Sequence, residues 1–511
     1  MDMSTRFVRI LFYGVSIFAL AACSGDEAKG YARQAYDYAP PQEEPPPVVE
    51  DEKEASNDQF LRVAPAFNEQ YLFVANPTID SITKIAVEKP HAKELIPVGL
   101  YPTLVKSVGT RVLVLNSGDH TVTFVTAATS KTYTEPIPKE INDIVFNNAG
   151  HGIGYVNAAK LPSDITGGSQ STDLFSIINI DEGLVVTKGI SFAPKHIVFT
   201  ASNPPMALLA ADSKGLLVNL NTPTAKPQPL TFSQSLTASK LEEAAITPSG
   251  ARAFFREQGQ TGIRVLELAT NTLGSVAGDA IPTDMDLSPD GLRLFVSDRA
   301  AGFRLREYDA ATTALTLLST VTSSLDYGQT EFSPDGSKAV LFSTATDQAV
   351  VGVLDMASGE VLDVNVQLPV QAALPAPGNA MAILVHRNPA GTFLPQKITM
   401  LNLETGEEPD VDLEGDLDKI DFSPDGMWAY LTTKQPDYLV ALSLSTSLHN
   451  VRELNNEPVF MAAIPGAGGK VFVSQSHAIG QITFFDVTQT LSTVQVVPDE
   501  VIGFLLGTTA E

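Results

Sequence analysis

An acidic run, Asp410, Asp412, Glu414, Asp416 and Asp421, gathers potential ligands within one short stretch of the chain. Carboxylates at alternate positions, with Gly415 in the sixth place, are how a loop wraps Ca²⁺ in hard oxygen ligands. Two features pull the other way. The twelfth place holds Asp421 rather than a bidentate Glu, and Val411, Leu413 and Leu417 interleave the acids. Such alternation is also what a half-buried outer strand shows, with acids to water and aliphatics inward. Calcium ligation and a solvated strand face both stay open, the strand face preferred, and no other cofactor is implied.

Other chemistries lack their residues. The seven histidines, His91, His120, His151, His196, His386, His449 and His477, fall at no metal-ligand spacing. There is no GxSxG elbow, HExxH helix, GxGxxG fingerprint or GxxxxGK[ST] phosphate loop. Cys23 is the one cysteine, which rules out an internal disulfide, a thiolate zinc cluster and CxxC redox chemistry. With 33 Lys+Arg against 59 Asp+Glu, a formal charge of −26, the chain is a poor candidate for nucleic-acid binding, which rests on cations neutralising phosphates. Five polar residues remain at or just before predicted inner strands: Glu242, Glu243, Asp284, Gln329 and Lys419. In radially arranged sheets, ligand sites lie over the central axis, where inner strands begin. These five offer hydrogen bonds there without singling out an acid–base pair, and ordinary loop polarity is the plainer reading.

The elements that would position them form a repeat. An apolar fraction of 44% over 511 residues supports a folded chain of several domains or one large array. Asp286-Leu-Ser-Pro-Asp-Gly291, Glu331-Phe-Ser-Pro-Asp-Gly336 and Asp421-Phe-Ser-Pro-Asp-Gly426 are near-copies, and Ile246-Thr-Pro-Ser-Gly250 is a fourth. Pro fixes φ, Asp bonds back to the backbone and Gly accepts positive φ, so each predicts a turn between two short apolar strands. A third strand ends in a polar residue before turns such as Ala357-Ser-Gly-Glu360, and a fourth follows. The first turns fall near residues 69, 109, 150, 204, 250, 291, 336, 378, 426 and 468, at intervals of about 40–54 residues. This predicts an all-β fold over 59–511: a β-propeller of four-stranded antiparallel blades, with about ten units. Ten exceeds the usual four to eight, so a single ring and two propellers both stay open. Stacked β-sandwiches are the alternative, but they would not repeat one turn at this spacing. Pro162 to Ser171 reads as a surface loop. Val501 to Leu506 reads as the inner strand of an eleventh unit, or as a partner for Phe60 to Val63.

The N-terminus reads as an address. Arg6 and Arg9 precede the apolar run Ile10 to Leu20, too short to span a bilayer, and Leu20-Ala21-Ala22-Cys23 follows. This resembles the bacterial lipobox, which implies a signal peptide over 1–22, cleavage before Cys23 and acylation there, including palmitate. Ser24 after the Cys resembles the outer-membrane sorting pattern. Residues 23–58, rich in Pro and Glu, read as an extended tether of roughly 35 residues, reaching at most on the order of 100 Å.

Phe73-Val-Ala-Asn76 with Ile96-Pro-Val-Gly-Leu-Tyr-Pro102 resembles the YVTN-type propeller repeat, and the Ser-Pro-Asp-Gly turns resemble those of WD40-like and TolB propellers. The first expectation is a lipid-anchored protein of the bacterial cell envelope whose non-catalytic propeller binds a protein or envelope component. The YVTN resemblance also implies a lactonase-like hydrolase, although no metal-site residue of that family matches position by position. A structural or adhesive surface protein is the third reading.

Overall fold

The computed structural model describes residues 66–505, less 158–159, 161–173, 232–239, 388–395, 465–468, 477–480, 488–494 and a few single or paired positions. The signal segment, Cys23, the tether and the loop at 162–171 lie outside the described residues. Among those described, strands form ten four-stranded antiparallel sheets, each in simple chain order, and one two-stranded ribbon. The fold is an all-β propeller. Its blades 1 to 10 span 66–97, 102–136, 143–189, 196–231, 241–276, 282–323, 329–365, 370–412, 416–453 and 458–498.

In blades 6, 7 and 9 the turn that joins the first and second strands has the chemistry of the repeated motif. In blade 6 the Gly291 amide donates to the Ser288 carbonyl (2.8 Å), and Asp290 accepts from the Ser288 hydroxyl (2.5 Å) and the Leu292 amide (3.0 Å). Burial works against the Asp290 charge, but these donors outweigh it and hold the carboxyl below its usual range. The same bonds recur around Ser333 and Asp335 and around Ser423 and Asp425. Glycine is required at 291 twice over: φ is +69°, and an added Cβ would lie 1.9 Å from Cδ of Pro248 in the preceding blade's turn.

Second strands such as Val112-Leu-Val-Leu115 are apolar without alternation because both faces of a blade are covered. In blade 1, Phe73 and Ala75 pack toward Val112 and Val114 of blade 2, while Leu72 and Val74 pack toward Phe472 and Ile482 of blade 10. Fourth strands such as Lys131–Pro136 are largely exposed.

The sheets fall into two compact units. One contains blades 1, 2 and 10 and therefore both ends of the described chain. Within it, Lys470 of blade 10 pairs with Glu88 of blade 1 (2.9 Å), and His91 stacks on Phe484 at 4.2 Å. The other contains blades 3 to 9, whose apolar cores run from one blade to the next, as between blades 5 and 6. In this unit the first strands of blades 4 to 8 lie side by side in chain order, so they form the inner edge.

Glu500–Val501 pairs with Phe504–Leu505 as the ribbon, not as the first strand of an eleventh blade. Ala66–Phe67 completes blade 1 and Gln495–Pro498 completes blade 10, so each of the ten units reaches four strands without it. Phe60 to Val63 lie outside the described residues.

Candidate functional site

Four of the five inner-strand residues come together where the first strands of blades 5, 6 and 7 adjoin. Glu242 and Glu243 are consecutive, and in a regular strand they would point to opposite faces. A bulge after Leu241 removes that constraint, since Glu243 rather than Glu242 faces Arg256 in the register. Both carboxylates consequently reach one guanidinium: Arg256 Nη1 lies 2.5 Å from Glu242 Oε2, and Nε lies 2.8 Å from Glu243 Oε2. Arg256 also donates to the Pro282 carbonyl at the start of blade 6 (3.4 Å). Burial opposes the Arg256 charge, but Glu243, Glu242 and Asp284 outweigh it and strengthen its protonation.

Asp284 follows an equivalent bulge in blade 6 and is buried. Its Oδ2 accepts the Thr330 amide of blade 7 at 2.8 Å, and Gln329 Nε2 donates back to the Thr283 carbonyl at 3.3 Å. Ser297 and Thr330 hydroxyls meet across the same seam at 2.8 Å. Burial pushes the Asp284 carboxyl well above its ordinary range, and the negative charges of Asp286, Glu243 and Glu331 push it further. The inner edge thus holds one buried carboxyl whose ionisation burial and neighbouring acids disfavour, and a guanidinium clamped by two carboxylates. Chemically, it can fasten blade to blade and hold or release a proton at Asp284.

Lys419 does not join this group. It follows the matching bulge of blade 9 and lies 3.5 Å from Asp418. Glu243, Asp284, Gln329 and Lys419 nevertheless share one repeat position. Asp286 and Glu331, two residues further on, were not singled out as site residues although each opens its copy of the Ser-Pro-Asp-Gly signature. Arg256 was missed because it lies on a second strand, and only the pairing register brings it here.

The acidic run at 410–421 is divided. Asp410–Asp412 is the outermost strand of blade 8, and Asp416–Phe422 is the first strand of blade 9. Gly415, at φ +117°, turns the chain between them. Asp410 accepts the Thr399 hydroxyl (2.5 Å) and pairs with Lys397 (3.3 Å), and Asp412 lies 3.4 Å from the same Lys397. Glu414 and Asp416 are exposed, and the Asp421 carboxylate caps the Phe422 amide (2.8 Å). Val411, Leu413 and Leu417 are buried, so the alternation of acid and aliphatic is kept across the break. Among the described residues, no group of three or more His, Cys, Asp or Glu side chains is placed to hold a metal ion. Cys23 lies outside the described residues.

No protein-family model matches the chain, and no curated protein matches it in sequence. Solved structures do. One described as the eukaryotic initiation factor is 10% identical, with 76% of this chain and 96% of that chain covered and a TM-score of 0.52. Dihydro-heme d1 dehydrogenase NirN in complex with DHE is 13% identical over 68% of this chain and 73% of that one, with a TM-score of 0.44. Kuenenia stuttgartiensis hydrazine synthase is 14% identical over 60% and 95%, with a TM-score of 0.37. At such identities the likeness to the initiation-factor structure is one of architecture alone.

Proposed function

We propose that this chain is a bacterial lipoprotein, anchored by acyl chains on Cys23 in the outer membrane, whose propeller of YVTN and WD40-like repeats binds a protein or cell-envelope partner without catalysis. The observation that carries the reading is how the inner-edge polar groups are engaged. Glu242 and Glu243 clamp Arg256, and Asp284 holds the Thr330 amide, so the charged groups most able to act as a reactive centre serve the scaffold. Rigid blades leave the connecting loops free to vary as a recognition surface. The YVTN-like residues fit a structural role too: Asn76 and Asn116 donate to Thr83 and Thr123 at 2.9 Å inside their own blades. Two acyl chains supply the stable anchoring that one cannot.

The test has two readouts in one strain. Alkyne-palmitate should label the wild-type chain and not Cys23→Ala; an unlabelled wild type removes the anchor. Photo-crosslinking in intact envelope should then give a defined adduct from loop positions. Absence of any protein or cell-wall adduct removes the binding role, and metal-dependent turnover of lactones by the purified chain would replace it with hydrolysis.

A further inference from the structure

Six blades treat the end of their second strand alike. Asn76, Asn116, Glu257, Asp298, His386 and Gln475 are all buried there, each facing a third-strand partner two residues beyond its register mate. In four blades a side-chain amide or imidazole meets a threonine hydroxyl: Asn76 with Thr83 and Asn116 with Thr123 at 2.9 Å, and His386 with Thr399 and Gln475 with Thr483 at 2.6 Å. An amide facing a hydroxyl therefore satisfies what the fold requires at this place. The repeat acts as its own control.

Blades 5 and 6 depart from it: in blade 5 the buried Glu257 lies 3.6 Å from Arg264 Nε, one guanidinium to one carboxylate, whereas blade 6 sets two against one. Asp298, 1% exposed, meets not a hydroxyl but two guanidiniums: Arg304 Nε at 2.9 Å and Arg306 Nη2 at 2.6 Å. One buried carboxylate against two arginines leaves one positive charge over. It is answered from the solvent side by Asp279, on the short link between blades 5 and 6, whose side chain is 67% exposed. Asp279 Oδ2 takes Arg304 Nη1 at 2.9 Å, while Oδ1 takes Arg304 Nη2 and Arg306 Nη2, each at 2.5 Å. Arg306 and Arg304 are themselves mostly buried, and Asp298 fixes their orientation from below. Forked donors held on a buried carboxylate match the planar geometry of a carboxylate or phosphate.

We propose that Arg304 and Arg306 form a receptor for one oxyanion group, a carboxylate or a phosphate, whose place Asp279 takes in the free protein. Asp279 is the exchangeable member because exposed ion pairs contribute little and its link is solvent-accessible, whereas Asp298 is enclosed. Its intramolecular position makes it a competitor at a high effective concentration, so an external ligand binds the wild type weakly until Asp279 moves aside. The inference does not depend on the lipid anchor.

The test titrates the full chain and Asp279→Asn with inorganic phosphate and with acetate by calorimetry, ionic strength held constant with sodium chloride. Asp279→Asn should bind at least one anion about tenfold or more tightly than the wild type, and the preferred anion tells phosphate from carboxylate. Adding Arg306→Gln should abolish the gain. Equal affinities, or a gain that survives Arg306→Gln, overturn the proposal. Should Asp279→Asn fail to fold, phenylglyoxal labelling of Arg304 and Arg306 in the wild type decides the matter. Phosphate or acetate, but not chloride, should slow it, and no protection overturns the proposal.

Discussion

Replacing Gly291 with Ala probes how the turns of adjacent blades interlock. At Gly291, φ is +69°, and the new Cβ would meet Cδ and Cγ of Pro248 at 1.9 and 2.5 Å. Gly359, in the last turn of blade 7, has a similar φ of +74°, but its nearest neighbour would be Val321 Cγ2 at 3.9 Å. The pair separates two costs. Left-handed backbone costs Ala about 1 kcal/mol at either site. The collision is extra: a proline ring has no flexible end to swing aside, and overpacking of this kind costs about 1–3 kcal/mol. Gly359→Ala should then lose about 1 kcal/mol and Gly291→Ala about 2–4 kcal/mol. Equilibrium urea unfolding reads both, followed by emission of Trp428, which belongs to the same unit, and by far-UV circular dichroism. If Gly291→Ala is no worse than Gly359→Ala, the turns do not interlock and the reasoning is refuted.

Three further outcomes follow from the inner edge and the blade interiors. Asp284 has a raised folded pKa, so its proton stabilises the fold fully below the unfolded value of about 3.9, and that contribution is lost as pH rises through the folded value. Asp284→Asn keeps an acceptor for the Thr330 amide, so its urea midpoint relative to wild type should climb as pH rises above the unfolded value of about 3.9; a flat difference contradicts the assignment. Arg256→Met removes the guanidinium that pairs with the buried Glu243 carboxylate and should cost about 3–5 kcal/mol, most of it recovered in Arg256→Met/Glu243→Leu, with urea unfolding of the wild type and both variants as the check. Asn116→Ala removes the donor to Thr121 (3.0 Å) and Thr123 (2.9 Å) and should cost about 1–3 kcal/mol, seen as a lower urea midpoint with unchanged secondary structure.

The turn motif was readable because its chemistry is local: Ser, Pro, Asp and Gly within a few residues determine the bend. Four copies of the motif and the spacing of the units between them then implied about ten blades, and ten four-stranded sheets form among the described residues. The inner-edge cluster was only partly readable. Glu243, Asp284 and Gln329 were marked by their place at strand starts, but Arg256 reaches them through a bulge and a cross-strand register that no local pattern reports. Lys419 shares their repeat position, yet its nearest acid is its own neighbour Asp418. The acids at 410–421 are neighbours in sequence, but a blade boundary at Gly415 distributes them between an outermost and an innermost strand, which the spacing does not report. Arg304 and Arg306 carried no signal at all until blade 6 could be compared with its sister blades.

Residues 66–97 cannot finish folding by themselves. The apolar face bearing Leu72, Val74, Ile85 and Val87 waits for residues 458–486, and the contact between Glu88 and Lys470 closes a separation of 382 positions. Loop-closure entropy grows only slowly with length, so the delay is one of timing more than of stability. A ribosome or export channel that releases the chain in order must deliver nearly all of it before its beginning is sheltered. A premature stop codon near the 3′ end should therefore leave a sticky N-terminal sheet, inviting proteolysis of a polypeptide that is otherwise almost whole.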